Sequence, residues 1–153
     1  MRRAALTALL GVAVACQSSA TVTPANPAGA AASGAVPQPV RGSMHTVRML
    51  LDNDGYRFEP SYLTVAQGDG VRFVMISGVP HNVAFDEVFI PRASRAQLLA
   101  NLSLIGGRDL ASPVVVTLDS AFTVSTSGLE RGEYLFYCAP HRSLNMHGVI
   151  TVR

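Results

Sequence analysis

The sequence predicts an all-β protein, a Greek-key β-sandwich with one short helix. Short segments rich in β-branched and aromatic residues follow one another from about residue 44 onward, and clusters of Gly, Asp, Asn and Pro separate them. Only one longer stretch, residues 91–102, has apolar residues at helical spacing. Many short strands bounded by turn signals are typical of a β-sandwich.

The predicted strands share this composition and are short: 46–51, 56–58, 62–66, 71–76, 83–85, 114–118, 122–125, 134–138 and 148–152. In the strand 134–138, Tyr134, Phe136 and Cys138 lie on one face because side chains alternate along a strand. If Phe136 points into the core, the Cys138 thiol does so too, at the end of the sandwich. The helix is predicted from Ala96, Leu99 and Leu102, which recur three residues apart.

The N-terminus has the features of an export signal. Two arginines precede the apolar residues 4–15, a run too short to span a bilayer, so residues 1–15 are predicted to be a signal peptide. Small residues precede Cys16, as in a bacterial lipoprotein processing site, which predicts a lipidated Cys16. The alternative is ordinary signal cleavage near Ala15 or Ala20. Both alternatives place the protein outside the cytoplasm, in the periplasm or anchored to a membrane facing it.

Residues 16–43 are predicted to be a flexible tether, because they are almost entirely Ala, Pro, Ser, Thr, Gly and Val. Residues 44–153 then form the single folded domain. The formal charge of +2 includes Arg2 and Arg3, so the protein without its signal is formally neutral. Nucleic acid is excluded as a partner, since binding it needs a clustered basic face.

The two cysteines are Cys16 and Cys138. With Cys16 lipidated or removed, Cys138 is the sole thiol of an exported protein. An oxidising compartment makes a lone thiol a liability unless something occupies it. A disulfide between the two would join the tether to the core, so metal ligation is the favoured interpretation.

Residues His81, Cys138, His141 and Met146 form the candidate metal site. The last three have the spacing Cys-x2-His-x4-Met on a loop between two strands, and His81 must arrive from another strand. Two imidazoles, one thiolate and one thioether suit copper in both oxidation states, and His2Cys with a long axial Met is the blue-copper donor set. Structural zinc sites use four firm ligands and rarely Met, so zinc is the weaker alternative. His45 has no partner motif, and strand alternation turns His147 away from the metal.

The segments that carry this site resemble the plastocyanin family: residues 132–141 (GEYLFYCAPH), 146–152 (MHGVITV) and 80–87 (PHNVAFDE). The resemblance spans roughly residues 56–153. It implies a cupredoxin fold, one type 1 copper as cofactor and single-electron transfer. It also implies that Asn82 ties the segment of His81 to the loop of Cys138 and tunes the sulfur.

Electron transfer between redox proteins is therefore the predicted function, and a periplasmic copper carrier or chaperone is the alternative. A copper enzyme needs further histidine clusters, so no catalytic role is predicted. Redox partners are expected to dock transiently near His141, where Val79, Pro80 and Pro140 supply an apolar rim. Tyr137, outward beside the cysteine, is a second possible exit for electrons. The protein is expected to be a monomer.

Overall fold

A computed structural model describes residues 34–153; the predicted signal, Cys16 and most of the tether lie outside the described residues. The strands are β1 Met44–Asp52, β2 Gly55–Glu59, β3 Tyr62–Val65, β4 Gly70–Met75, β5 Ala84–Phe85, β6 Ala121–Ser125, β7 Gly132–Tyr137 and β8 His147–Val152. The α-helix α1 is Arg95–Ser103, and short 3-10 helices span Glu87–Phe89, Arg92–Ser94 and Ala139–Leu144.

The strands form two four-stranded sheets with the orders β2-β1-β4-β6 and β3-β8-β7-β5. The pairs β1–β4 and β3–β8 are parallel, and the other pairs are antiparallel. Every connection from β2 to β7 passes from one sheet to the other. This arrangement confirms the predicted all-β sandwich.

The core lies between the sheets and is centred on three phenylalanines from different strands. Phe136 of β7 packs edge-on against Phe58 of β2 and Phe73 of β4, with ring centroids 4.8 and 5.4 Å apart. Burying a side chain of this size contributes about 1.5–3 kcal/mol relative to leaving it exposed. Tyr134 and Cys138 are buried on the same side as Phe136, so the predicted alternation along this strand is confirmed.

The predicted helix is confirmed as α1, but its buried face differs from the predicted one. Ala96 and Leu99 are exposed, whereas Leu98, Asn101 and Leu102 are buried. The reason is Asn101, whose Nδ2 donates to the main-chain carbonyls of Ser125, the last residue of β6, and of Ser127, both at 2.9 Å. Because its side-chain amide is fully hydrogen-bonded, Asn101 can be buried against the sheet. The helix therefore buries a face that the spacing of apolar residues does not predict.

The predicted strand 114–118 is wrong. Within it Val115 alone forms a bridge, to His81. Val114, Val116 and Leu118 are exposed. The next hydrogen-bonded pair of this ladder would be Val83 with Pro113, and Pro113 has no N–H to donate. The Val83 carbonyl accepts from the Ser112 N–H at 2.8 Å instead, so the ladder does not extend past the bridge on that side.

Residues 34–43, assigned to the tether, make hydrogen bonds with the sandwich. The Gln38 N–H donates to Oδ1 of Asn101 at 2.9 Å, and the Ser127 hydroxyl donates to the Pro39 carbonyl at 2.7 Å. Where the folded domain begins therefore stays a prediction, taken up in the Discussion. Among the described residues no helix has the length and apolar character needed to cross a membrane.

Candidate metal centre

The side chains of His81, Cys138 and His141 come together at one end of the sandwich. Their ligand atoms all lie within 4.8 Å of one another. The Cys138 Sγ is 3.5 Å from Nδ1 of His81 and 3.4 Å from Nδ1 of His141. All three residues are buried, and His141, at 6% exposure, is the most accessible of them.

The orientation of His81 follows from its other ring nitrogen. Nε2 lies 2.8 Å from the Ser77 carbonyl, which can only accept, so Nε2 carries the proton. Nδ1 of the neutral ring then presents a lone pair to Cys138. The main chain of His81 is fixed as well, because it exchanges two hydrogen bonds with Val115 at 3.0 and 2.7 Å.

The loop after β7 brings His141 and Met146 back to Cys138. The Cys138 N–H donates to the Met146 carbonyl at 3.0 Å, and its own carbonyl accepts from the His141 N–H at 3.1 Å. Asn145 adopts a left-handed conformation, with φ 64° and ψ 24°, that ends the 3-10 helix and turns the chain into β8. Met146 is 1% exposed and belongs to the core cluster that contains Cys138.

Burial keeps all three polar groups neutral. It lowers the pKa of His81 below its usual 6.5, although the hydrogen bond to Ser77 opposes this effect. Burial also lowers the pKa of His141, and the nearby His81 ring adds to the shift. The pKa of the Cys138 thiol is raised by burial above its usual 9.0, with smaller opposing contributions from the Asn82 and His141 N–H groups. Neutral imidazoles are the form that binds metals, and a buried thiol loses its proton when a cation takes its place.

Asn82 links the two halves of the cluster. Its Oδ1 accepts from the Ala139 N–H at 2.8 Å, which ties the segment of His81 to the loop that begins at Cys138. The predicted tie between these segments is confirmed. Partners of this kind orient metal ligands and tune them.

Tyr56 is a residue of this site that the sequence reasoning missed. Its ring stacks on His141 with centroids 3.7 Å apart and planes 16° apart, and it meets the His81 ring edge-on at 5.9 Å. The signal was its position: Tyr56 precedes the buried Phe58 by two residues, so strand alternation places it on the same face of β2.

The other two histidines of the described chain lie outside the cluster. His45 bonds through Nε2 to Oδ2 of Asp69 at 2.8 Å. His147 is exposed at the start of β8, as strand alternation predicts. Neither residue approaches the three grouped ligand atoms.

The donor set fits copper. Two imidazole nitrogens and a thiol sulfur converge in a buried, apolar environment. The hydrogen bond from the Cys138 N–H to the Met146 carbonyl holds Met146 beside them. Soft sulfur donors favour Cu(I) and imidazoles suit Cu(II), so one site can accommodate both states.

Known proteins are similar to this chain in sequence and in fold. A family model described as copper binding proteins of the plastocyanin/azurin family matches residues 45–153. Plastocyanin A/B of Petroselinum crispum is 33% identical over 106 residues, covering 69% of this chain and 97% of that relative. Plastocyanin of Prochlorothrix hollandica is 37% identical over 112 residues, covering 72% of this chain and 75% of the relative.

A solved structure leads to the same family. The oxidised form of plastocyanin from Dryopteris crassirhizoma has 29% sequence identity and a TM-score of 0.54, covering 71% of this chain and all of that one. The relatives named here are all plastocyanins, which does not favour the copper-carrier alternative. The chain therefore belongs to the plastocyanin/azurin family of copper-binding proteins, and it is a type 1 copper electron-transfer protein.

Proposed function

We propose that the protein shuttles single electrons between redox proteins through one copper held by His81, Cys138, His141 and Met146. The observation that carries the proposal is the convergence of two Nδ1 atoms on the Cys138 sulfur at 3.4 and 3.5 Å. A bound copper would supply a one-electron couple between Cu(I) and Cu(II). Hydrogen bonds to Ser77 and Asn82 hold the residues around the sulfur in place, so little rearrangement of the protein is needed.

The burial of the cluster also supports electron transfer over catalysis. A substrate has no direct access to Cys138 or His81, which are each 0% exposed, whereas an electron needs only a short path to the surface. A second copper would require further histidines, and His45 is bonded to Asp69 instead. We therefore propose no enzymatic activity.

Transient docking is proposed at the end of the sandwich where His141 lies. Val79 is 45% exposed, Leu144 is 54% exposed, and Pro80 and Pro140 are exposed beside them. All four residues lie close in the chain to His81 or His141, and we infer that they form an apolar rim at His141, the most accessible of the grouped ligands. Small interfaces of this kind suit brief encounters between redox proteins, and we infer that the protein itself is a monomer.

Export is proposed from the apolar residues 4–15, and membrane anchoring from Cys16 at the end of that run. The remaining chain up to the sandwich would let the domain reach partners beyond the membrane surface. We expect Cys16→Ser to release the protein from the membrane fraction into the periplasmic fraction. Equal solubility of the two proteins would contradict the anchor and favour simple secretion.

The function is tested by the colour and the redox behaviour of the copper-loaded protein. A thiolate bound to Cu(II) gives an intense blue colour that disappears on reduction, so the oxidised protein should be blue with one copper per chain. We expect Cys138→Ser to abolish the colour and the reversible voltammetric wave while the sandwich stays folded by circular dichroism. Its matched control is Ser143→Ala, an exposed position in the same loop, which should leave both unchanged. A colourless wild-type protein with stoichiometric Cu(II) would contradict the ligand set.

A further inference from the structure

Tyr137 has its side chain on the outer face of its sheet, one residue from the candidate metal centre. It is the last residue of β7, directly before Cys138, and its ring is half-buried. Its cross-strand neighbours are Ala84 of β5 and His147 of β8. An aromatic ring one residue from a ligand offers electrons a second way out, separate from the rim at His141.

The guanidinium of Arg142 covers this ring. Its Cζ lies 4.1 Å from the centroid of the Tyr137 ring, and its Nη2 donates to Oδ2 of Asp86 at 3.1 Å. A guanidinium is planar, so it can lie flat on an aromatic face and bind a carboxylate at the same time. Arg142 is thus held from two sides although 62% of its side chain is exposed.

Asp86 is a fixed anchor for this arginine. Its Oδ1 accepts from the Val88 N–H at 3.1 Å and so caps the 3-10 helix Glu87–Phe89. Its main-chain N–H donates to the Leu135 carbonyl of β7 at 3.0 Å. The carboxylate is therefore held beside the strand of Tyr137, and only 16% of its side chain is exposed.

The neighbouring acidic residue is also paired with an arginine. Oε1 of Glu87 lies 2.7 Å from Nε of Arg95. A cationic partner approaching this edge therefore meets two carboxylates that already have partners, and a tyrosine ring whose face is occupied by Arg142. The positive charges that would bind these carboxylates are therefore already present in the chain, as Arg142 and Arg95.

We propose that Arg142 is a cap on Tyr137, which closes this route to cationic partners and directs electron exchange to the apolar rim at His141. This consequence rests on the proposed electron-transfer function, whereas the cap itself can be observed without any electron transfer. A cleft of about 280 Å³ beside the cap gives the guanidinium room to swing aside; it is lined by Asp86, Leu135, Tyr137, Arg142, Met146 and His147. Arg142 thereby determines which partners the protein accepts, and Asp86 positions it.

The cap is tested by the accessibility of the Tyr137 ring to a neutral gadolinium chelate, measured by NMR on the reduced copper protein. We expect the paramagnetic relaxation of the ring protons to rise several-fold in Arg142→Gln and by a smaller factor in Asp86→Asn. Asparagine remains a good cap residue, so the 3-10 helix persists in the second variant. Arg95→Gln is the matched control, since it breaks an ion pair at the same edge without touching the ring. Equal relaxation of Tyr137 in all four proteins would overturn the cap.

Partner choice is tested by the oxidation of the reduced protein with tris(phenanthroline)cobalt(III), a cation that takes up one electron and becomes cobalt(II). Arg142→Gln and Arg95→Gln lose the same charge, so their ratio isolates the cap from general electrostatics; we expect Arg142→Gln to react faster by about threefold or more. Arg142→Lys keeps the charge without the planar group and should fall between Arg142→Gln and the wild type. Equal rates in the two glutamine variants would overturn the role in partner choice. Failure of the wild type to bind copper or give up an electron would instead contradict the proposed function, while the accessibility measurement still decides the cap.

Discussion

Single residues of the candidate metal centre are oriented by partners that lie outside it. His81 donates through Nε2 to the Ser77 carbonyl, so Nδ1 is the nitrogen that faces the Cys138 sulfur. Asn82 holds the Ala139 N–H and thereby the start of the ligand loop. Because each partner fixes one atom of a ligand or its main chain, the fold itself sets the spacing of the donor atoms.

The stacked ring of Tyr56 acts on His141 in a different way, by covering one face of the imidazole. Aromatic pairs contribute about 0.5–1.5 kcal/mol beyond the area that they bury. The contact joins β2 to the loop after β7, so it restrains the ligand that lies nearest the surface.

We expect Tyr56→Leu to lower the free energy of unfolding by about 1 kcal/mol, since the stacking is lost while apolar bulk is kept. The His141 ring protons should lose their ring-current shift in NMR spectra of the reduced protein. Tyr56→Phe keeps the stacked ring and should preserve both values. Tyr62→Leu, at an exposed tyrosine of β3, is the control for the loss of a tyrosine. Unchanged His141 signals in Tyr56→Leu would contradict the stacking.

The residues that gather in the candidate metal centre could be predicted from the sequence, and so could the tie that Asn82 makes, but the other contacts around them could not. Cys138, His141 and Met146 lie within one loop, so their spacing alone indicates a metal site. Tyr56 reaches His141 from another strand, and the cap on Tyr137 depends on Asp86, which is distant in the chain. Contacts between segments depend on how the sheets pack, and no local pattern encodes that.

At the scale of elements, Asp69 joins three segments that pattern analysis treats as separate. Its carboxylate accepts from the Ser43 N–H at 2.8 Å, the Ala66 N–H at 2.9 Å and Nε2 of His45 at 2.8 Å. These bonds connect the start of β1 to the turn between β3 and β4. The hydrogen bond from His45, followed by that from Ala66, lowers the pKa of Asp69 below its usual 3.8, although burial opposes the shift.

We expect Asp69→Asn to lower the free energy of unfolding at neutral pH by about 2 kcal/mol, because hydrogen bonds to a charged group are lost. The folded-state pKa is lowered, so the stabilisation is fully present above the ordinary value of 3.8 and is lost as pH falls through the folded value. Urea unfolding from about pH 5 to about pH 2 should therefore show the two proteins converging in stability. Glu133→Gln, an exposed carboxylate on β7, is the control. A constant difference across this range would show that the Asp69 carboxylate does not titrate with a lowered pKa.

The type and order of the elements could be predicted where apolar residues mark the buried face. The prediction failed where strand pairing or a buried polar side chain determines the structure. Short segments rich in β-branched and aromatic residues between turn clusters predict the strands of both sheets, and alternation predicts the buried face of β7. Residues 114–118 have the composition of a strand, yet they form one bridge, because Pro113 has no N–H for the next pair. The face of α1 was misassigned because Asn101 is polar by composition and buried only through its specific partners.

On the scale of the whole molecule, one end of the sandwich holds the grouped ligands and the other end binds residues that precede β1. His81 follows the end of β4 and belongs to the metal end, where the ligands gather. At the start of β4, the Gly68 carbonyl accepts from the N–H groups of Arg41 and Gly42, both at 2.9 Å. Arg41 and Gly42 are thereby attached at the end remote from the ligands, away from the rim at His141 that is proposed as the docking site.

The boundary of the folded domain can be tested by comparing a chain that begins at residue 34 with one that begins at residue 44. The shorter chain loses the Gln38 N–H that Oδ1 of the buried Asn101 accepts, and the Pro39 carbonyl that Ser127 contacts. Oδ1 of Asn101 keeps Nε2 of Gln97 as a donor at 2.8 Å, whereas the hydroxyl of the buried Ser127 loses its acceptor. Leaving a buried polar group without a partner costs about 1–3 kcal/mol, so we expect urea unfolding to report a loss of this size in the shorter chain. The visible spectrum should be the same for both copper-loaded proteins, because these contacts lie at the end away from Cys138. Equal stability would mean that the domain begins at residue 44 and that residues 34–43 belong to the tether, as their composition predicts.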